Sequence, residues 1–361
     1  MKKITLMKKV MLMTSLFFSV NSMAEITFPE STFEDLDYGL VWFGYTEAEK
    51  AVPGEENNFY DPAKPTFIYV HGWQSGTVEE LERPTFDRRN SGGYDEDLSQ
   101  YWLDKGYNVG ILYWNQFADE DEVKDAEAKI YTANGSKEMR WKSADGHYYD
   151  GPSESVSQLL FESIRDNMST FSHRNFRIAG HSLGNQLALL ISEKLDVAVQ
   201  NGLNPNLLPD RVALLDPFYS KGDKDYLDGD SIADATNDAV DALKSSNVII
   251  EAYRSSLTGS SGLAGDKNTR LLNKTAFAEL RPWYFMPWQI GEKHSAAATW
   301  YFWSIAFPAP QFSADNEYVP SAATNNTITR ELMNAAYGAR QNAGVYSKTP
   351  EDDAFEYRDR L

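Results

Sequence analysis

Residues 176–202 constrain this chain more than any other stretch. Phe176-Arg177-Ile178-Ala179 is a short apolar run of the kind that forms a buried strand. Leu187 to Val199 repeats apolar residues at helical spacing, with Gly202 available to end the helix. Between them stands Gly180-His181-Ser182-Leu183-Gly184, which fits G-x-S-x-G. In that pattern a tight strand-to-helix turn holds a serine hydroxyl clear of a sheet, and glycines relieve crowding on either side. Three fixed positions arise by chance in roughly one chain in ten of this size. The flanking strand and helix therefore carry the inference, not the pattern itself.

The rest of the chain repeats the alternation. Leu40 to Thr46, Thr66 to Val70, Tyr107 to Trp114, Val212 to Leu215 and a run opening at Val248 read as strands. Ser153 to Phe171 and Ala233 to Leu243 read as helices, and another helix is expected near His294. Strands alternating with helices predict an α/β fold with a mostly parallel central sheet covered on both faces. A chain of 361 residues fits one large core of this kind with a tail. The expected division is a signal peptide over 1–24, a catalytic domain over 25–311 and a polar C-terminal extension over 312–361. The leader is inferred from four lysines without an acid in MKKITLMKKV, an apolar VMLMTSLFFSV, and small residues before Glu25. Its apolar run is about half the ~20 residues a spanning helix needs, so no transmembrane segment is expected and the mature protein should be secreted.

Charge and cysteine content narrow the partners. The chain has 34 basic and 53 acidic side chains; without the four leader lysines the count is 30 against 53, a net of −23. Such a surface repels nucleic acid and suits solubility outside the cell. There is no cysteine, which excludes disulfides, thiolate metal sites and a lipid anchor on an N-terminal cysteine.

A serine hydroxyl needs a histidine base oriented by a carboxylate. Of the five histidines only His294 follows the elbow, as the chain order serine, acid, histidine requires. Two carboxylates compete for the acid. Asp216 ends the strand Val212 to Leu215 ahead of Pro217, and Glu251 falls within the next strand. Two backbone N–H groups must face the oxyanion. Leu183 follows the nucleophile, and Trp73 follows the strand that ends in His71-Gly72. Gly180, Gly184 and Gly72 would allow the close approach, with His71 bracing the loop. No metal or organic cofactor is called for.

Together these residues resemble the neutral lipase family, secreted α/β-hydrolases that include pancreatic lipase, lipoprotein lipase and related phospholipases A1, here as a bacterial-type member. The likeness lies in LVWFGYT, KPTFIYVHGW, GHSLG, Leu-Asp-Pro at 215–217 and KHSAAATWYFW, over roughly residues 38 to 305. It implies Ser182, Asp216 and His294 as the triad and favours Asp216 over Glu251. It also implies a lid just before the histidine, within the Gly-, Ser- and then aromatic-rich stretch 255–293. There Trp283, Tyr284, Phe285 and Trp288 could form a lid or acyl-chain wall that touches lipid interfaces transiently. The chain departs from vertebrate members in lacking their disulfides and room for a C-terminal β-sandwich. The function so implied is hydrolysis of lipid esters, as a triacylglycerol lipase or phospholipase A1. The alternatives are a non-catalytic lipid-binding protein on this scaffold, or a short-chain esterase or thioesterase.

Overall fold

The structure, a computed structural model, describes residues 26–87, 96–257, 265–342 and 347–361; the leader expected at 1–24 lies outside them. Among the described residues the strands are β1 (Gly39–Phe43), β2 (Ala48–Lys50), β3 (Thr66–Val70), β4 (Asn108–Tyr113), β5 (Trp141–Lys142), β6 (Tyr148–Tyr149), β7 (Phe176–His181), β8 (Arg211–Leu215), β9 (Ile249–Arg254), β10 (Ala276–Glu279), β11 (Tyr337–Gln341) and β12 (Phe355–Asp359). All but the small β5–β6 hairpin lie in one sheet, ordered β12-β11-β10-β9-β8-β7-β3-β4-β1-β2. From β4 through β11 neighbouring strands are parallel, and the pairings of β1 with β4 and β2 and of β11 with β12 are antiparallel. This is the α/β architecture, with a mostly parallel central sheet between helices, expected from the alternation.

The central strands β3, β4 and β8 are buried at every residue, as a sheet covered on both sides demands. Helices Val156–Asn167, Gly184–Gln200 and Ile232–Ser245 pack side by side along the sheet. Helices Ser99–Asp104 and Ile290–Ser304 meet through aromatics: Phe67 of β3 stacks on Trp102 at 3.9 Å, Phe302 stands edge-on to Tyr69 at 4.9 Å, and Trp102 Nε1 donates to Phe302 O at 3.0 Å. Each such ring contributes roughly 2–3 kcal/mol by burial, and the contacts fix the helix that carries His294. No helix among the described residues is long and apolar enough to cross a membrane.

Two expectations about the second half need correction. Residues 312–361 are not a separate polar extension: helix Asn326–Asn334 packs on β9 and β10, and β11 and β12 complete one side of the sheet. These strands are short, and the outer one alternates buried Phe355 with exposed Glu356, so its composition resembles a tail. Nor is 255–293, the stretch read as holding a lid, a lid-like insertion throughout, because it contains helix Thr269–Leu272 and the fully integrated strand β10. Residues 258–264 of that stretch lie outside the described residues.

Candidate active site

Ser182, Asp216 and His294 reach one place because adjacent strands end at one level. His181 pairs with Leu215, and Leu215 with Tyr253, so Ser182 and Asp216 each follow the last paired residue of their strand. Both take left-handed backbone, with φ of 56° at Ser182 and 42° at Asp216. For residues with a Cβ this conformation costs about 1–3 kcal/mol each, and it persists only where the surroundings enforce it. Asn185 supplies much of that enforcement, as its amide donates to Ser182 O (2.9 Å) and Leu215 O (3.0 Å) and accepts from Leu215 N–H (2.8 Å).

The glycines of the elbow are required by contact. A Cβ on Gly180 would lie 2.2 Å from Gly184 O, and one on Gly184 would lie 2.2 Å from Val70 O. One on Gly72 would lie 2.7 Å from Ser182 Cβ, so the loop after β3 abuts the serine directly.

Asp216 is buried and accepts four hydrogen bonds. Oδ1 takes the N–H groups of Ser255 (2.8 Å) and Ser256 (3.1 Å), while Oδ2 takes the Ser256 hydroxyl and His294 Nδ1–H (2.6 Å). Burial works against ionisation, yet the bonds from His294, Ser256 and Ser255 outweigh it and hold the carboxyl below the ordinary carboxylate range. Since a carboxylate only accepts, the His294 proton is on Nδ1 and Nε2 is left as an acceptor. His294 and Ser182 line the same cavity. Ser255 ties acid to base: its N–H holds Asp216, and its hydroxyl donates to Lys293 O (2.6 Å) and accepts from Ala297 N–H (3.1 Å), the pair that an α-helix would bond directly.

The loop after β3 is clamped by the segment after β4. Trp114 N–H donates to His71 Nε2 at 3.1 Å, so the His71 proton is on Nδ1, which donates to Gly72 O at 2.9 Å. Burial pushes the His71 imidazole down to about 3; the bond to Gly72 O opposes this and the Arg83 guanidinium adds to it. A neutral His71 thus fixes the Gly72–Trp73 peptide plane, turning Trp73 N–H away from His71. Asp119 holds the next turn, accepting from Gly76 N–H (2.7 Å) and Val78 N–H (2.9 Å), and Glu120 O takes Trp73 Nε1–H (2.7 Å). Among the described residues neither Trp73 N–H nor Leu183 N–H is taken up by another protein group.

The other candidates fall elsewhere. Glu251 sits in mid-strand, fully buried and paired with Arg211. Trp283, Tyr284, Phe285 and Trp288 do not line the cavity that Ser182 and His294 share; Phe285 is buried, Trp283 and Trp288 are exposed, and Tyr284 packs against Phe285 at 4.7 Å. His181 also lines the cavity, its Nε2–H donating to His294 O at 3.0 Å. Ser255, Ser256, Asn185 and Asp119 were not singled out in the sequence. Only the two serines directly after β9 left a local signal.

The cavity has a volume of about 930 Å³. Tyr69, Phe218 and Val123 give it apolar wall, and Gln74, Thr77, Glu82, Arg83, Thr85 and Asp87 make much of the rest polar.

No protein-family model matches this chain, and no curated protein does. Among solved structures, a lipase-esterase related protein from Clostridium acetobutylicum is similar at 16% identity and a TM-score of 0.27, over 60% of this chain and 78% of that one. An extracellular α/β-hydrolase from a Paenibacillus species is 12% identical, with a TM-score of 0.30 over 64% and 98% of the two chains. Esterase B from Lactobacillus rhamnosis is 13% identical, with a TM-score of 0.25 over 70% and 68%. The fold and the site rest on this chain's own topology and geometry, not on these likenesses.

Proposed function

We propose that this protein is an ester hydrolase working through an acyl-enzyme. The observation that carries the reading is the 2.6 Å bond from His294 Nδ1 to the ionised Asp216, which leaves Nε2 free to act as a base in the cavity that Ser182 lines. Ser182 attacks the ester carbonyl; His294 takes the proton and returns it to the leaving alcohol. Asp216 stabilises the imidazolium, and Trp73 and Leu183 N–H groups receive the oxyanion. Water then repeats the sequence on the acyl-enzyme.

A lipid ester is the substrate class we favour. Trp283, Met286, Trp288 and Ile290 are exposed and lead directly into Gly291, which lines the cavity. Exposed large apolar side chains in this number, on a segment that runs into a cavity-lining residue, suit contact with a lipid interface. The polar half of the cavity supports a second reading, a short or polar ester. Export follows from the leader composition and is part of the same proposal.

Hydrolysis of p-nitrophenyl esters from short to long acyl chains, run beside Ser182→Ala, tests both readings. Activity should fall at least about a thousandfold in the variant. A rate maximum at long chains supports lipid, and one confined to acetate or butyrate supports the short ester. Activity that survives Ser182→Ala would sink the acyl-enzyme.

A further inference from the structure

Four arginines converge on one carboxylate at the side of the sheet away from β1. Glu279 pairs with Arg254 on β9 and Arg340 on β11 in the strand register, so the three share one face. Arg358 on β12 is two residues from the partner of Arg340 and lies on that face too. Arg254 Nη2 is 3.2 Å from Glu279, Arg340 Nε 3.6 Å and Arg281 Nε 4.0 Å, and Arg358 Nη1 is hydrogen-bonded to it. Beneath them Phe277 underlies two guanidiniums, with Arg254 and Arg358 at 5.4 Å and 5.3 Å from its centroid.

One carboxylate does not satisfy this set. It offers about four lone-pair sites, against about five N–H donors on each guanidinium. Arg340 Nε is buried and has no hydrogen-bond partner among the described residues. Glu356 stands opposite Arg340 in the register but comes to no ion-pair distance among the described residues. Burial and repulsion from Arg254, Arg340 and Arg281 hold the Arg358 guanidinium below its ordinary value in spite of Glu279. A concentrated positive patch on a chain of net charge −19 is costly unless an anion relieves it.

Next to the cluster an open groove of about 430 Å³ runs along β11 and β12, with Arg340, Arg358 and Arg360 on its wall beside Asp359 and two tyrosines. We propose that the arginines around Glu279 form a binding site for a phosphate group, free or borne on a lipid headgroup. Several planar forks arranged around one point match the tetrahedral oxygens of a dianion better than they match chloride. None of these four arginines lines the catalytic cavity, so the site is independent of the ester-hydrolase reading. Arg254 does immediately precede Ser255, which holds Asp216 and the turn carrying His294, so occupancy has a short route to the catalytic groups.

Calorimetric titration of the purified protein with inorganic phosphate, at constant ionic strength set by sodium chloride, tests the site. Saturable binding is expected. The double variant Arg281→Gln, Arg340→Gln should weaken it at least about tenfold through loss of charge-assisted bonds, and it retains Arg254 and Arg358 to balance Glu279. Glu279→Gln should tighten it, whereas a purely structural ion-pair cluster predicts lower stability with no phosphate binding. Circular dichroism establishes that both variants fold. Phosphatidylcholine vesicles with and without phosphatidic acid then separate the sources. Sedimentation with the acidic vesicles, competed by free phosphate, identifies a headgroup, and phosphate binding without sedimentation identifies the free anion. No saturable phosphate binding, or binding unchanged in the double variant, overturns the proposal.

Discussion

Asp216 and Glu251 are acids of equal burial on neighbouring strands, and the fold uses them in opposite ways. Glu251 faces a full cation: Arg211 gives it two bonds, at 3.2 and 2.5 Å, and the Tyr253 and Tyr301 hydroxyls add two more at 2.7 and 2.8 Å. Arg211 spends its remaining donors on Ser321 O and Thr324 O, fastening the C-terminal segment to the sheet. Among the described residues no arginine or lysine pairs with Asp216; neutral donors and one imidazole surround it. A carboxylate neutralised on the spot becomes a lock. One left with its charge can draw a proton onto a histidine, and it does so at a strand end where the backbone can expose it.

Substitution should separate the two acids sharply. Asp216→Asn keeps the shape but presents an amide to His294, which then favours the wrong tautomer, and kcat should fall by about 10³–10⁴ with KM little changed. Steady-state kinetics on a p-nitrophenyl ester measures this, and a loss below about tenfold would move the acid's role elsewhere. Glu251→Gln should do the reverse. With Arg211 buried and uncompensated, stability should drop by about 3–5 kcal/mol, read from urea unfolding, while the activity of the folded fraction stays within about twofold. A Glu251→Gln protein of full stability and lost activity would exchange the two assignments.

The contrast also marks what the sequence discloses. The elbow was legible because glycines at 180 and 184 and a strand-to-helix switch are local signals, and the contacts that a Cβ would make show why they are needed. His294 followed from chain order. The choice between Asp216 and Glu251 was not settled by local pattern, because it depends on Arg211, 40 residues from Glu251. Ser255 and Asp119 act on groups 39 to 43 residues away, through pairings that periodicity does not encode. The strand β12 was hidden for another reason: an edge strand with one wet face has the composition of a tail. The aromatic run at 283–288 announced apolar surface but not its position relative to the cavity, which is a tertiary fact.

His71 illustrates a third treatment of a buried ionisable group, which is to keep it uncharged. Folding holds its imidazole at about 3, whereas the unfolded chain binds the proton near the ordinary 6.5. The unfolded state therefore takes up the proton first. The stability contributed by His71 is complete above about pH 6.5 and is lost progressively as pH falls toward about 3, by up to several kcal/mol. In His71→Asn the amide can still donate to Gly72 O, but the Trp114 N–H loses its acceptor, at a cost of about 1–3 kcal/mol. The variant should be the less stable protein at pH 7, yet its stability should decline less steeply on acidification, so that the two urea-midpoint curves converge between pH 6 and 4. Because Trp73 N–H is oriented through the same peptide, kcat should fall by about tenfold or less at pH 7 with KM held, a much smaller loss than for Asp216→Asn. Parallel midpoint curves would mean that His71 does not stay neutral in the folded protein, and the orientation of the Trp73 donor would then need another cause.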